Sequence, residues 1–341
     1  MTTAARFVDL GMVAPAQLHA TWYAVAESAA MDAAPVLLWA RPARAHICLG
    51  PSQVDVAELA IDNGAAGGLP VYRRALGGGV VYLDADQGCF GIVLPGCGPG
   101  VRGAHLARLL DAAAGVYRDY GIDSRAIGAR DLWVRSRKIL GTGSATVGST
   151  LLLGASIVRR FPTERFCRAI HAPSAGFRDW LTRALDQGMT DWQREGRFPG
   201  WSAVRGRLGA HVGRAFGWVL RADGLSTRER AALAAAAEEL AGPEYREAGG
   251  PDPQARVIPG GIKVNHRVAL VERHWHQEWL RVLLDDGRLA QVQASDPDVD
   301  RVLQGWVGGP IDELGCAQAT TMQPWLDRLA AMATEARRAM A

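Results

Sequence analysis

The sequence predicts an α+β layered fold, and three observations carry the prediction. Its first half is rich in short apolar runs of strand length, with helical spacing on either side of them. Those strands do not alternate regularly with helices, which argues against a doubly wound nucleotide fold. A glycine- and proline-rich stretch, "GPEYREAGGPDPQA", separates a long helical region from a second set of strands. It divides the chain into a large domain over about 1–250 and a small α/β domain over 255–341.

Taken in order, residues 15–31, "PAQLHATWYAVAESAAM", have the spacing of an amphipathic helix. "VLLWAR" and "HICLG" read as buried strands, and "VDVAELAIDNG" over 54–64 as a helix ended by Gly64. "LPVYRR" and "GVVYLD" are strands flanking a glycine loop, with "CFGIVLP" after them. Residues 102–120 form a helix. Three strands come next, "LWVRS", "KILGTGS" and "STLLLGASIV", with "RSR" or "GTG" as turns between them. From about 162 to 241 the pattern is helical, including "RDWLTRALDQG" and "WSAVRGRLGAHVGRAFGWVL". The last helix there opens with a capping box at Ser226 and Glu229 and stops at Gly242. The C-terminal part reads as three strands, "GGIKVNHRVALVE", "EWLRVLLDD" and "GRLAQVQAS", with a hairpin turn at Asp286-Gly287. Short helices end the chain.

Composition narrows the function classes. The 341 residues are 48% hydrophobic and 21% charged, an ordinary globular balance. No apolar run approaches the roughly 18 residues of a membrane span, and "MTTAARFVDLG" lacks the features of a signal peptide, so a cytoplasmic protein with no membrane role is expected. A net charge of +3 gives no footing for nucleic-acid binding. The cysteines Cys48, Cys89, Cys97, Cys167 and Cys316 are scattered, which argues against disulfides and against a zinc site. The 38 basic residues include only two lysines, Lys138 and Lys263. Where any cation serves, this chain writes arginine, so a lysine marks a candidate site for a compact ammonium.

Two constellations could carry chemistry. In "RRALGGGVVYLDADQGCF", Arg73 and Arg74 run into Gly77, Gly78 and Gly79. A triple glycine alone is most often a turn, and this one matches neither G-x-G-x-x-G nor a Walker loop. Beside two arginines it suits a backbone lying against an anion, one arginine facing a pocket and the other solvent or a carboxylate. In "DLWVRSRKILGTGS", Lys138 sits in an apolar strand context beside Arg137. It is placed to bring a point charge to a carboxylate or phosphate oxygen. Asp131 is either a ligand for a divalent metal or ribose hydroxyl, or an ordinary loop aspartate.

Together these stretches resemble the lipoate–protein ligase family. The first is similar to its Arg-Arg-x-Ser/Thr-Gly-Gly-Gly-x-Val-x-His-Asp motif, the second to its Asn-Asp-…-Gly-x-Lys-Ile-x-Gly-Ser-Ala motif. "STLLLGASI" resembles the next strand of the family, and "CLGPSQ" the earlier Gly-x-x-Gln. The resemblance spans roughly residues 5–160, in order. It implies a mixed sheet flanked by helices, shared with biotin ligases and related to class II aminoacyl-tRNA synthetases. It implies that lipoate or a medium-chain fatty acid reacts with ATP and Mg²⁺ to an acyl-adenylate, which a lysine of a lipoyl-carrier domain then attacks. By the same resemblance Lys138 is the catalytic residue and Asp131 holds Mg²⁺. Arg73, Arg74, Leu76, Gly77, Gly78 and Gly79 then bind substrate or nucleotide, as do Val81, Leu83 and Asp84. Arg130, Gly141, Thr142 and Thr150 complete the set. The glycine loop is expected beside the principal pocket, with Lys138 pointing into it.

The chain departs from the family pattern at four places. Leu76 replaces a Ser/Thr, Leu83 a His, Arg130 an Asn, and Gly148-Ser149 a His-Gly. The two leucines imply a more apolar pocket, and Arg130 adds a charge near the expected metal. An alternative reading is an octanoyl or lipoyl transferase with a thioester on Cys167, although Cys167 lacks the family's Pro-Cys-Gly context and reads as buried, as does Cys89. Another is a non-catalytic ligand- or carrier-binding homologue. His274 and His276 would share a face of an extended segment as a metal pair but lack a third ligand, with His266 in the same region. Lys263 reads as an exposed strand position.

Overall fold

The computed structural model describes residues 3–62, 65–241, 258–310 and 322–340, and its architecture is α+β. Two compact units contain residues 1–55, 61–162 and 189–250, and residues 56–60, 163–188 and 251–341. The second unit thus takes up 56–60 and 163–188, which the boundary at 250–255 leaves with the large domain. The boundary segment 242–257 and the expected stops at Gly64 and Gly242 lie outside the described residues.

The first unit is built on an eight-stranded mixed sheet. Its strands are β1 (Thr3–Val13), β2 (Val36–Pro42), β8 (Gln87–Leu94), β9 (Ser124–Ile127), β10 (Asp131–Val134), β11 (Arg137–Val147), β12 (Thr150–Val158) and β13 (Trp218–Asp223). They lie in the order β13-β1-β2-β8-β12-β11-β10-β9. β1 runs parallel to β2 and β13, and the remaining pairs are antiparallel. Alternating residues send side chains to opposite faces. Leu37, Trp39, Phe90, Leu151 and Leu153 pack with helices α3 (Arg102–Arg118) and α7 (Trp201–Phe216) on one face. Val36, Leu38, Val93 and Leu152 pack with α1 (Pro15–Ser28) on the other.

A smaller sheet contributes to that second core. It comprises β3 (His46–Leu49), β4 (Ile61–Asp62), β5 (Ala65–Ala66), β6 (Leu69–Arg73) and β7 (Val81–Leu83), in the order β4-β5-β6-β3-β7. Strands β6 and β7 flank the glycine loop as expected. They are not neighbours, because β3 lies between them, parallel to β6 and antiparallel to β7.

Three local expectations change. The helix expected over 54–64 is only α2 (Asp55–Glu58): Leu59 bridges Ile170, and Ile61–Asp62 pairs as a strand with Ala65–Ala66. The helix expected through Leu220 stops at Phe216, because Gly217 takes a left-handed φ of 69° and its N–H turns back to Arg214 and Gly213. Beyond Gly217 the chain continues as the edge strand β13. "GTG" is strand rather than turn; Gly148-Ser149 makes the β11–β12 turn, and Arg135-Ser136 the β10–β11 turn. The capping box holds: Ser226 N–H donates to Glu229 at 2.7 Å and Glu229 N–H to Ser226 Oγ at 3.1 Å, opening α8 (Thr227–Ala241).

The second unit has an antiparallel sheet of β14 (Gly261–Lys263), β15 (Val268–Trp275), β16 (Glu278–Asp285) and β17 (Arg288–Ala294). The run read as its first strand is two strands, broken by a turn in which Asn265 accepts from Arg267 and Val268 N–H. Asp286-Gly287 makes the hairpin, both at positive φ. Helices α4 (Thr163–Ala169), α5 (Ala175–Gly188), α9 (Pro297–Gln304) and α10 (Gln323–Met340) belong to this unit, and α6 (Trp192–Glu195) to the first. A buried polar knot joins α5 to the sheet. Arg281 Nε donates to Glu272 at 2.5 Å, its Nη2 to Ser174 Oγ at 2.9 Å, and its guanidinium lies over Trp180 and Trp279. Gly176 permits this approach: a Cβ there would fall 2.4 Å from Arg281 Nη2.

Candidate functional site

The glycine loop is fastened by the arginines that precede it. Both are buried and donate to backbone carbonyls, so neither faces solvent. Arg73 Nη1 reaches the carbonyls of Gly50 at 2.9 Å and Gln53 at 2.6 Å. Arg74 Nη1 reaches that of Cys48 at 3.0 Å, and its Nη2 that of Gly79 at 2.8 Å. Gly77 N–H donates to the carbonyl of Ser144 on β11 at 3.1 Å. Glycine is required on both sides of the loop. A Cβ at Gly50 would lie 2.2 Å from the Gly78 carbonyl oxygen, and one at Gly143 2.8 Å from that of Gly77. Gly78 and Gly79 are exposed, and their N–H groups have no backbone acceptor among the described residues. Exposed, unpaired N–H groups in succession are donors for an anion.

A β-bulge brings Lys138 to the same side. Leu132 pairs with Leu140 but Trp133 pairs with Lys138, so Ile139 is an extra residue in β11. The shift turns Lys138 onto the face shared by Gly141 and Gly143. A Cβ at Gly141 would meet Lys138 Nζ at 2.9 Å and Asp131 Oδ1 at 3.3 Å, whereas one at Gly143 would meet Leu76 and Gly77. These two glycines are about 7 Å apart along the strand, so the Lys138 ammonium and the Gly77 carbonyl lie within roughly a dozen ångströms of each other. Lys138 Nζ is 2.9 Å from Asp131 Oδ1, and both side chains are largely covered. Asp131 therefore pairs with Lys138 rather than with solvent. No group of three or more His, Cys, Asp or Glu suited to a metal occurs among the described residues.

The other predicted residues divide into two sets. Leu76 lies over a row of glycines. Gly143, Gly154 and Gly91 are directly paired across β11, β12 and β8 and so share a face. A Cβ at Gly154 would be 2.6 Å from Leu76 Cδ1. The row makes a trough in the sheet, which Leu76 partly fills. Thr142 donates its N–H and Oγ1 to the Arg130 carbonyl, both at 2.9 Å, while the exposed Arg130 side chain makes no ion pair among the described residues. Leu83 is in the core beside the partly buried Val81. Asp84 makes the β7–β8 turn, accepting from Asp86 N–H at 2.8 Å, and burial pushes its carboxyl up. Thr150 is buried at the start of β12, opposite Val147 and away from the Lys138 end of β11.

The loop does not line the groove that opens along α7. That groove, about 610 Å³, is lined by small residues of α7 and by Phe7, Trp218 and Leu220. Beside the loop, Leu76 occupies the trough over Gly143 and Gly154. Cys167 is buried in α4 with its thiol pushed up by burial, and Cys89 is buried in β8 with its thiol pushed up to about 12. His274 pairs with Glu272 at 2.8 Å, whereas His276 sits at positive φ beyond the end of β15, so the two do not form one strand face. Lys263 donates to the carbonyls of Ala339 and Met340 at the C-terminus of α10. Sequence reasoning missed the glycine row. Its signal was present in the glycines at 91, 143 and 154, but only strand register aligns them.

Comparisons with known proteins give the family and the fold. A family model described as lipoyl protein ligase A/B catalytic domain matches residues 15–208. The fold is similar to that of a bipartite lipoate protein ligase from Thermoplasma acidophilum, studied with its E2 lipoyl domain. That match has a TM-score of 0.67 and 18% identity, and covers 73% of this chain and 98% of that one. It is similar to lipoate-protein ligase A bound with ATP, with a TM-score of 0.63, 18% identity, and 72% and 100% of the two chains covered. P. falciparum LipL1 in complex with lipoate matches with a TM-score of 0.57 and 11% identity, over 95% of this chain and 98% of that one. No curated protein matches in sequence at a significant level. No described helix is long and apolar enough to cross a membrane.

Proposed function

The chain belongs to the lipoyl protein ligase A/B catalytic-domain family, and from that premise we propose that it is an acid–lysine ligase. It activates lipoate or a related medium-chain acid with ATP and passes the acyl group to a lysine of a lipoyl-carrier domain. The observation that carries the reading is the bulge at Ile139, which sets the Lys138–Asp131 pair on the face of the sheet that holds the glycine loop. The unpaired N–H groups of Gly78 and Gly79 receive an anionic oxygen of acid or phosphate. Lys138 meets the charge that develops on the mixed anhydride, where a preorganised cation is worth most. Asp131 holds the ammonium in place in the free enzyme. It would also hold the Mg²⁺ that accompanies ATP, an ion that commonly uses one or two carboxylates plus phosphate oxygens. Leu76, seated over the glycine row, shapes the space for the acid.

The test is incubation of the full chain with ATP, Mg²⁺ and a panel of medium-chain acids, with acyl-adenylate read by mass spectrometry. The reading expects an acyl-adenylate with at least one acid, and a shifted acid preference in Leu76→Ser. Absence of any adenylate, together with no thermal stabilisation by MgATP, overturns it.

A further inference from the structure

The eight-stranded sheet ends on β13, and that edge is open. Thr3 N–H donates to the Gly217 carbonyl at 3.0 Å, and the parallel register with β1 runs from Thr3 opposite Trp218 to Val8 opposite Asp223. Backbone groups alternate sides along a strand, so Val219, Arg221 and Asp223 turn theirs toward β1. Trp218, Leu220 and Ala222 turn theirs outward, where they have no backbone partner among the described residues. Soluble proteins blunt such an edge with proline, a bulge, an inward charge or a short strand. The opposite edge, β9, is four residues long and carries the Arg125–Asp123 ion pair. β13 is six residues long, pairs with β1 without a bulge, has no proline, and is apolar over Trp218, Val219 and Leu220. Val219 is 49% exposed on one face of the strand. Along the other face runs the groove of about 610 Å³, between Gly206, Gly209 and Ala210 of α7 and Phe7, Trp218 and Leu220 of the sheet. A Cβ at Gly206 would meet nothing within 4 Å, so the helix leaves the space beside the edge clear.

We propose that this edge is a dimerisation surface and that a second copy of the chain occupies it, β13 against β13 about a twofold axis. The strand is complementary to itself in one register. Antiparallel pairing centred on Leu220 sets Leu220 opposite Leu220 of the second copy, and Trp218 opposite Ala222 of the second copy. All three residues turn their backbone outward, so each pair exchanges both of its N–H···O=C bonds and no outward group is left over. Side chains agree with the same register. On the groove face leucine meets leucine and the large indole of Trp218 meets a small alanine, and the open groove takes them in. On the other face Val219 lies opposite Arg221 of the second copy, whose stem covers it while the charged head reaches water. Asp223 lies outside the paired stretch and accepts from Arg6 Nε at 2.6 Å. Centring on Arg221 instead would set arginine against arginine and aim backbone groups already bonded to β1. Centring on Trp218 or Ala222 carries part of the strand past its partner's end. The interface lies at the end of the sheet away from β11, so it does not depend on the acyl chemistry.

The test is sedimentation equilibrium of the full chain over roughly 1–100 μM, with variants that read the register. The expected result is a rise with concentration from the mass of one chain to that of two. Val219→Lys sets a like charge opposite Arg221 of the second copy, twice over by symmetry, and should weaken the dimer about tenfold or more. Adding Arg221→Glu should restore it, because each new lysine then faces a glutamate. Val219 is exposed, so its replacement leaves the monomer fold and acyl-adenylate formation as they are. Leu220→Cys gives a second measurement. Opposite residues of a bonded antiparallel pair have Cα atoms about 5.5 Å apart, within disulfide reach. Mild oxidation should therefore join two chains of Leu220→Cys several-fold more than of wild type. The mass of one chain at every concentration assigns the edge to some other extended partner and overturns the proposal. So does a dimer that Val219→Lys leaves as strong as wild type, or one that the double variant fails to restore.

Discussion

At the scale of single residues, the site turns on an ammonium and the empty space beside it. This chain uses arginine for nearly every cation, and its two lysines both meet oxygens at close quarters: Lys138 at Asp131, and Lys263 at the last carbonyls of α10. A guanidinium is larger and planar, and presents a fork where a point charge is needed. Lys138→Arg should therefore keep the fold and the pairing with Asp131 yet lose about a hundredfold or more in acyl-adenylate formation. Full activity in that variant would remove Lys138 from the chemistry. Gly141 gives a finer test. A Cβ there presses on Lys138 Nζ and Cε, the far end of a flexible side chain. Gly141→Ala should cost under about 1 kcal/mol of stability while lowering kcat through a displaced ammonium, as steady-state kinetics beside a denaturant titration would show.

At the scale of elements, the loop is held by the Arg74 side chain and by close backbone contact. Gly50 stands against the Gly78 carbonyl at a distance no Cβ tolerates. Gly50→Ala must move backbone, so a loss of about 1–3 kcal/mol is expected, by analogy with overpacked cores. The variant should also bind MgATP more weakly, read by calorimetry. A stability equal to wild type would mean that the loop is free to shift. The capping box of α8 is an independent element, since Glu229 also receives Arg6. Ser226→Ala should cost about 1 kcal/mol and leave acyl-adenylate formation unchanged, because the cap's hydrogen bonds join Ser226, Glu229 and Arg6 and none reaches the loop.

At the scale of the whole molecule, two buried polar arrangements set how stability responds to mutation and pH. Glu272 and Arg281 are both enclosed, and removing one partner leaves an uncompensated charge. Glu272→Ala should destabilise by about 3–5 kcal/mol, measured by chemical denaturation, and a cost below about 1 kcal/mol would show that the knot is solvated. The pH response comes from His46 and His19, buried side by side with their Nε2 atoms 3.0 Å apart. Their folded-state pKa values are depressed, so the unfolded chain takes up protons first. Stability contributed by the neutral pair is full above about 6.5 and declines as pH falls toward about 4, the value for His46. A titration of unfolding free energy between pH 7 and 4 should fall in wild type and flatten in His46→Gln. Parallel curves would show that the pair does not control acid stability.

The sequence by itself determined the local chemistry. Apolar runs and turn residues placed most strands, the Ser226–Glu229 cap and the Asp286-Gly287 hairpin, because each depends on neighbours a few residues away. The order of the glycine loop and the Lys138 segment was legible for the same reason, and with it the family. The tertiary structure decided which residues meet. Strand Thr3–Val13 and the edge strand after Gly217 exist because they pair in parallel with distant segments, and no local pattern reports such a partner. The helical hairpin 163–188 packs with the C-terminal sheet through Arg281, more than ninety residues away in sequence. The face on which Lys138 lies depends on one extra residue at Ile139. The glycine row at 91, 143 and 154 and the buried contact of His19 with His46 appear only when register and packing align strands and a helix, since side-chain direction is a property of the assembled sheet.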